Sequence, residues 1–255
     1  MAILEVQALQ KNYGAENVLE DITLTVEEGE FLSIVGPSGC GKTTMLKCLS
    51  GLLPYEHGSV KIAGELVTSP PETLGLVFQD YSRSLLPWLT VRENVELPLR
   101  YRPSSKAKRH ASTLDALESV GLSAHLNKKP WQLSGGMQQR VAIARALAYE
   151  PKLLLMDEPF ASVDAQTRSE LEDLTMRLWS ERNMTIGFVT HDIDEAIYLG
   201  TRIAVLSRTP TTIREVMNVD LPRPRDQVYT KGLPEFARLR SEVFNALGHA
   251  PTPVA

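Results

Sequence analysis

Residues 31 to 53, FLSIVGPSGCGKTTMLKCLSGLL, constrain the fold more than any other stretch of the chain. A continuous apolar run ends at Gly36 and a glycine-rich loop follows. Met45, Leu46, Leu49, Leu52 and Leu53 then recur at helical spacing, with stop signals at Gly51 and Pro54. Strand, loop and helix in that order suit a parallel sheet covered by helices. The loop itself, Gly36, Pro37, Ser38, Gly39, Cys40, Gly41, Lys42, Thr43 and Thr44, matches G-x-x-x-x-G-K-S/T in the strand-to-helix setting that gives the pattern its meaning. Its glycines let backbone N–H groups converge on phosphate oxygens, and the helix N-terminus adds the positive end of its dipole. Lys42 supplies a full charge at terminal phosphates, and the Thr43 hydroxyl can ligate Mg²⁺. An ordinary glycine-rich turn is the competing reading, and motif and context together set it aside.

Downstream, KLLLMDEP and TIGFVTHD each read as a short buried strand ending in polar residues. Asp157 ends the first and can hold Mg²⁺ through water; Glu158, next along, can take a proton from an attacking water. His191 leaves the second strand at its C-terminal end, where ligands sit in open α/β sheets, and is read as a phosphate contact. A helix cap before Pro159 and a surface histidine are the plainer alternatives. Short β-like runs, ILEVQAL and ITLTV, precede the loop, and residues 83–150 read as mostly helical. The expectation is one domain over 1–255: an α/β core from 1–82 and 151–207, an inserted helical lobe at 83–150, and an appendage at 208–255 with a terminal helix in PEFARLRSEVFNALG.

LSGGMQQR, residues 133 to 140, closes the lobe and looks like half of an anion site. Ser134 sits where an N-cap should, two glycines bare the backbone, and Met137, Val141, Ala144 and Ala148 mark one helix face. No lysine stands beside them, and Leu133 lies 91 residues beyond Lys42. A second copy of the chain would supply the missing cation.

The net charge of −4 and pI near 5.8 argue against a nucleic-acid partner, and KAKRH at 106–110 reads as a solvated helix face. No apolar stretch approaches the roughly 20 residues of a bilayer span, and MAILEVQALQKNYG lacks the form of a signal peptide, so a cytosolic chain is expected. Cys40 and Cys48, roughly 12 Å apart along a loop and helix, should be free thiols. Beside amides and Lys42, Cys40 is expected to favour its thiolate and to react with thiol reagents.

GPSGCGKTT, VFQD, LSGGMQQR, LLLMDEP, SVDAQTR and VTHD, in this order, resemble the ATP-binding subunit of an ABC transporter over roughly residues 3 to 210. The resemblance implies a phosphate-loop, RecA-like core with an N-terminal antiparallel β region and an inserted helical subdomain. It implies ATP and Mg²⁺ as cofactors, and a head-to-tail homodimer sandwiching two ATP molecules between phosphate loop and signature. It assigns Ser134, Gly135, Gly136 and Gln138 to the partner's nucleotide, Tyr13 to stacking on adenine, Gln79 to a metal and water contact that senses the permease, and Asp164 to the loop crossing the dimer. Met137 stands where glutamine is commonest, and FASVD where FGALD or LSALD is more usual.

Finer likeness, through VFQDYSRSLLPWLTVRENVELPL and THDIDEAIYLGTRIAVLS, is to importer subunits of the nitrate, taurine and alkanesulfonate group. That implies separate integral membrane permease subunits, a solute-binding protein acting indirectly, and a place at the cytoplasmic face of the inner membrane. Leu85, Leu86, Trp88 and Leu89 offer more apolar surface than a solvated loop requires, and are expected to form a groove for a permease helix. A DNA-repair or translation-associated ABC ATPase is the alternative. The former would carry a long coiled-coil insertion before the signature, and the latter normally holds two cassettes in one chain.

Overall fold

The computed structural model describes residues 1–80 and 84–248. β1 (Ala2–Tyr13) and β2 (Glu16–Glu27) pair antiparallel across a tight turn at Gly14, whose φ of +60° suits a residue without a Cβ. The second sheet holds β3 (Phe31–Val35), β6 (Leu74–Val77), β7 (Leu153–Asp157), β8 (Ile186–Thr190), β9 (Arg202–Leu206) and β10 (Ile213–Asn218). Its order is β10-β9-β3-β8-β7-β6, parallel throughout except for β10. β4 (His57–Ile62) and β5 (Glu65–Leu66) join the first pair in a sheet of order β2-β1-β4-β5.

Apart from the exposed edge strand β10, the larger sheet is buried on both faces, which is why its parallel strands read as apolar runs. Alternation sends Phe31, Val35, Leu154, Met156, Ile186, Phe188, Ile203 and Val205 into one core, and Leu32, Ile34, Leu153, Leu155, Val189, Ala204 and Leu206 into the other. The second core is closed by the small sheet and α1 (Lys42–Leu49), through Met45, Leu46, Cys48 and Leu49. Of the two stop signals, Gly51 and Pro54, the helix obeys the first. Gly51 takes φ +72°, ending the helix at Leu49 and leaving Leu52 half exposed. On the other side Phe188 packs between Phe31 and Phe160, with ring centroids 5.9 and 5.5 Å away. Phe188→Ala would cost about 3–5 kcal/mol at such a site.

That first core also receives α2 (Val91–Glu96), α3 (Lys106–Ser119), α4 (Gly135–Ala148), α5 (Ala165–Arg182), α6 (Ile193–Leu199) and α7 (Pro234–Ala246). α2 to α4 make the inserted lobe. α2 opens with a capping box between Thr90 and Glu93, and the basic run on α3 is largely solvated. The start expected for the lobe, at Arg83, lies outside the described residues. The apolar segment after it does not form one surface: Leu85 is buried in the core, Asn94 hydrogen-bonds both the N–H and the carbonyl of Leu86, and Trp88 is exposed.

The tail departs from expectation too. β10 pairs antiparallel with β9, so residues 213–218 extend the main sheet and are no appendage. Hydrogen bonding to an otherwise open strand edge draws them in. The terminal helix is present as α7. Among the described residues no helix is long and apolar enough to cross a membrane.

Candidate functional site

β3, β8, β7 and β6 end in register: Val35 lies opposite Thr190, Asp157 opposite Val189, and Val77 opposite Met156. Whatever follows these residues emerges along one edge of the sheet, the carboxyl edge where α/β folds bind ligands. From β3 comes the loop Gly36–Thr44, with Gly39 and Gly41 at φ +78° and +104°. A Cβ on Gly36 would lie 2.9 Å from the Cys40 sulfur and 3.0 Å from Leu206 Cβ, so the loop lies directly on the core. Thr211, fully buried, donates its hydroxyl to the Cys40 carbonyl and exchanges backbone bonds of 2.9 Å with Val18 and Glu20, buckling the loop to β2.

Cys40 is therefore turned inward, 3% exposed. Burial pushes its thiol above the ordinary range, and the Lys42 charge offsets this only in part. The expected thiolate is overturned: desolvation outweighs the neighbouring cation and amides. Cys40 and Cys48 are both free, as expected.

Lys42, 5% exposed, donates to the carbonyls of Gly36 and Pro37 at 2.9 and 3.0 Å, and its Nζ stands 3.3 Å from Glu158 Oε1. The other oxygen, Oε2, meets Nδ1 of His191 at 2.8 Å. One carboxylate thus ties the phosphate-loop cation to the histidine of the next strand. Glu158 itself sits at φ +41°, an uncommon backbone for a residue with a side chain, held by its N–H bonding to Val189 O at 2.8 Å.

Beside it Asp157 is 3% exposed, and burial raises its carboxyl above the ordinary range despite the Thr43 hydroxyl that reaches it. Its Oδ1 has no hydrogen-bond partner. An orphaned buried carboxylate oxygen with a hydroxyl alongside fits Mg²⁺, which takes a few protein oxygens and completes its shell with water and phosphate. Among the described residues no group of three or more His, Cys, Asp and Glu side chains could hold a metal without such help. Gln79 is exposed just past β6, and Thr43 and Thr44 open α1.

The signature residues lie elsewhere. Ser134 caps α4, its hydroxyl accepting from Met137 N at 3.3 Å, and Ser134 and Gly135 are exposed. A Cβ on Gly136 would come within 2.4 Å of Thr167 Cγ2, so this glycine lets α4 press against the first turn of α5. Gln138 turns back into the lobe, donating to the carbonyls of Pro130 and Leu133 at 3.1 and 3.3 Å. Asp164 caps α5 through the Thr167 N–H at 3.0 Å and its hydroxyl at 2.7 Å, bonds that hold its carboxyl below the usual range. Tyr13 is half exposed at the end of β1, with Lys11 Nζ 5.4 Å from its ring centroid.

Residues 19–161 match the family model described as ABC transporter. The chain belongs to the ABC transporter family. Its ATP-binding relatives include the taurine import ATP-binding protein TauB of Escherichia coli O157:H7, 43% identical over 87% of this chain and 86% of that one. The bicarbonate transport ATP-binding protein CmpD of Synechocystis is 41% identical over 96% of this chain and 89% of its own. Among solved structures, the ATP-binding cassette MJ0796, in a dimeric post-hydrolysis state bound to ADP and Pi, superposes with a TM-score of 0.73 at 36% identity, over 85% of this chain and 98% of its own. CbiO1 of Clostridium perfringens, part of the transporter complex cbiONQ, gives 0.80 at 26% identity, over 97% and 98%.

This ABC protein is an ATPase, and the sheet edge described above carries its phosphate loop, acidic pair and histidine. Sequence reasoning missed what surrounds them. Thr190 donates to Glu195 at 2.6 Å, Asp192 caps α6, and Arg168 faces both acids. All four lie within DAQTR and VTHDIDEA, but short polar strings do not show which residues meet across the fold.

Proposed function

We propose that this ATPase powers the uptake of a small solute, an anion such as nitrate, taurine or a sulfonate, through separate permease subunits at the cytoplasmic face of the membrane. It works as a head-to-tail pair of identical chains. The observation that carries the paired reading is the exposed N-terminus of α4, where the cap residue Ser134 and Gly135 face solvent. Capped by an uncharged side chain, this helix end can receive the γ-phosphate held by a partner's Lys42.

On binding ATP, the Lys42 ammonium leaves the Gly36 and Pro37 carbonyls and Glu158 for the β- and γ-phosphates, while the loop amides close on their oxygens. Thr43, Asp157 and Gln79 would hold Mg²⁺, which would supply positive charge against the phosphate oxygens. Glu158, freed from Lys42, accepts a proton from the attacking water, and His191 bonds the γ-phosphate in place of the glutamate. Tyr13 offers a ring face to adenine, and Asp164, at the start of α5, reaches toward the dimer seam. The names of the taurine and bicarbonate relatives support the anion class.

A permease helix has a surface to meet. A groove of about 380 Å³ beside the β6 edge is lined by Pro71, Leu76, Pro98, Tyr101 and Tyr149. Tyr101, 84% exposed, stands at its rim. Affinity purification of the chain from its native membranes tests the reading. Permease subunits should co-purify, and Tyr101→Asp should release them while sparing basal ATPase activity. Recovery of the chain with DNA-repair or ribosomal proteins instead would overturn it.

A further inference from the structure

His191 has no rigid scaffold of its own: it is exposed between the end of β8 and the start of α6. Its two sequence neighbours are pinned instead. The Thr190 hydroxyl, in a residue 1% exposed, donates to Glu195 Oε2 at 2.6 Å and accepts from Asp192 N at 3.0 Å. Asp192 Oδ1 in turn accepts the N–H groups of Asp194 and Glu195 at 2.8 and 3.1 Å. This closed set of bonds fixes the backbone on either side of the histidine.

The side chain that spans the set comes from a different element. Arg168, in the first turn of α5, places Nη1 3.4 Å from Asp192 Oδ2 and Nε 3.6 Å from Glu195 Oε1. Glu195 is nearly buried, so its carboxyl needs polar partners when it is ionised. The guanidinium can face two carboxylates at once because its N–H donors point in different directions within one plane. We propose that Arg168 is a positioning residue for hydrolysis, setting where His191 stands by bridging Asp192 and Glu195.

The same helical turn touches the signature helix. Thr167, next to Arg168, occupies the space that a side chain on Gly136 would need. A shift of α4 when its N-terminus meets the partner's nucleotide would press on this turn, and through Arg168 on the loop of His191. The inference rests on the reading of His191 as a γ-phosphate contact.

The test is a double-mutant cycle of Arg168→Ala and His191→Ala, with ATP hydrolysis measured at saturating and limiting ATP. Arg168→Ala should lower kcat roughly 10- to 100-fold, the scale for displacing a catalytic group by about 1 Å, and leave KM within about 3-fold. In the His191→Ala background it should cost less than about 2-fold more, since a residue acting only through the histidine has nothing left to position. Arg168→Lys, which keeps the charge, should recover part of the rate. Thermal melting accompanies each variant. If Arg168→Ala does not fold, Arg168→Met with Glu195→Gln removes the bridge and leaves only the part-exposed Asp192 without its cation, and the same cycle is run on it. Full additivity, a loss led by KM, or an unchanged rate overturns the proposal. A fully active His191→Ala would instead overturn the role of His191 itself, which separates the two failures.

Discussion

Lys42 Nζ and Glu158 Oε1 face each other 3.3 Å apart, so the phosphate-loop cation and the carboxylate proposed as base neutralise one another. In the mechanism proposed above, ATP would draw Lys42 away, and the same event would free Glu158.

Glu158→Gln follows directly from that contact. The amide keeps the shape but cannot take a proton, so turnover should fall by roughly 10² to 10⁴. ATP binding should be at least as tight as in the parent chain, because no carboxylate competes for Lys42. Phosphate release and nucleotide titration measure the two effects separately. Near-normal hydrolysis would remove Glu158 from the role.

Cys40 gives the opposite of what its position in the sequence suggests. Its thiol is buried and raised, and that of Cys48 is pushed up to about 11 by burial. At pH 8 a maleimide should label neither in the native chain within minutes, and both promptly in denaturant. Peptide mapping reads this out. Fast native labelling at Cys40 would show that the phosphate loop opens far more readily than its packing against Leu206 implies.

The composite site makes a prediction about mixtures. Lys42→Ala cannot hold phosphate, and Gly135→Asp sets a carboxylate where the partner's phosphate should sit, so each alone should be inactive. Mixed, they form some dimers with one intact loop facing one intact signature, and part of the ATPase rate should return. In a Cys40→Ala background, cysteines at Ser38 and Ser134 should crosslink between chains when ATP is bound. A crosslink formed only within one chain contradicts the head-to-tail pairing.

Glu195 should leave its mark on stability. Burial is the main reason its pKa is raised from 4.5 to about 7; Asp192 and Glu172 push it further up, while the Thr190 hydroxyl and Arg168 pull it down. A raised acid means that the folded chain holds the proton more tightly than the unfolded one. The associated stability is complete below the unfolded value and is lost as pH rises through about 7. Glu195→Gln should therefore flatten the fall in melting temperature from about pH 4.5 to 7. Asp157 and Glu172 shift in the same direction, so the difference between the two curves is the quantity to read. Parallel curves would mean that Glu195 is charged throughout.

What the sequence reveals here is whatever lies in one contiguous run. The phosphate loop, the Asp157–Glu158 pair and His191 each follow an apolar strand, and a single sheet edge gathers them, so motif and geometry agree. β10 is harder to read, since TIREVMN alternates weakly and belongs to the sheet only because β9 lies beside it. Cys40 is buried in a core that it shares with Leu206, and Asp192, beside His191, pairs with Arg168, both partners remote in sequence. No periodicity registers such meetings. The same holds for Leu85, whose neighbours in the sequence resemble it while only it enters the core.

Glu158 occupies a left-handed backbone that an asparagine would adopt with less strain. Non-glycine residues held there cost of order 1–3 kcal/mol. Glu158→Asn would relieve part of that strain, but it would also strand the buried Lys42 ammonium that the carboxylate now neutralises. A bent backbone and a buried cation are thus held in place by one side chain, so selection for heat resistance alone would not dislodge it.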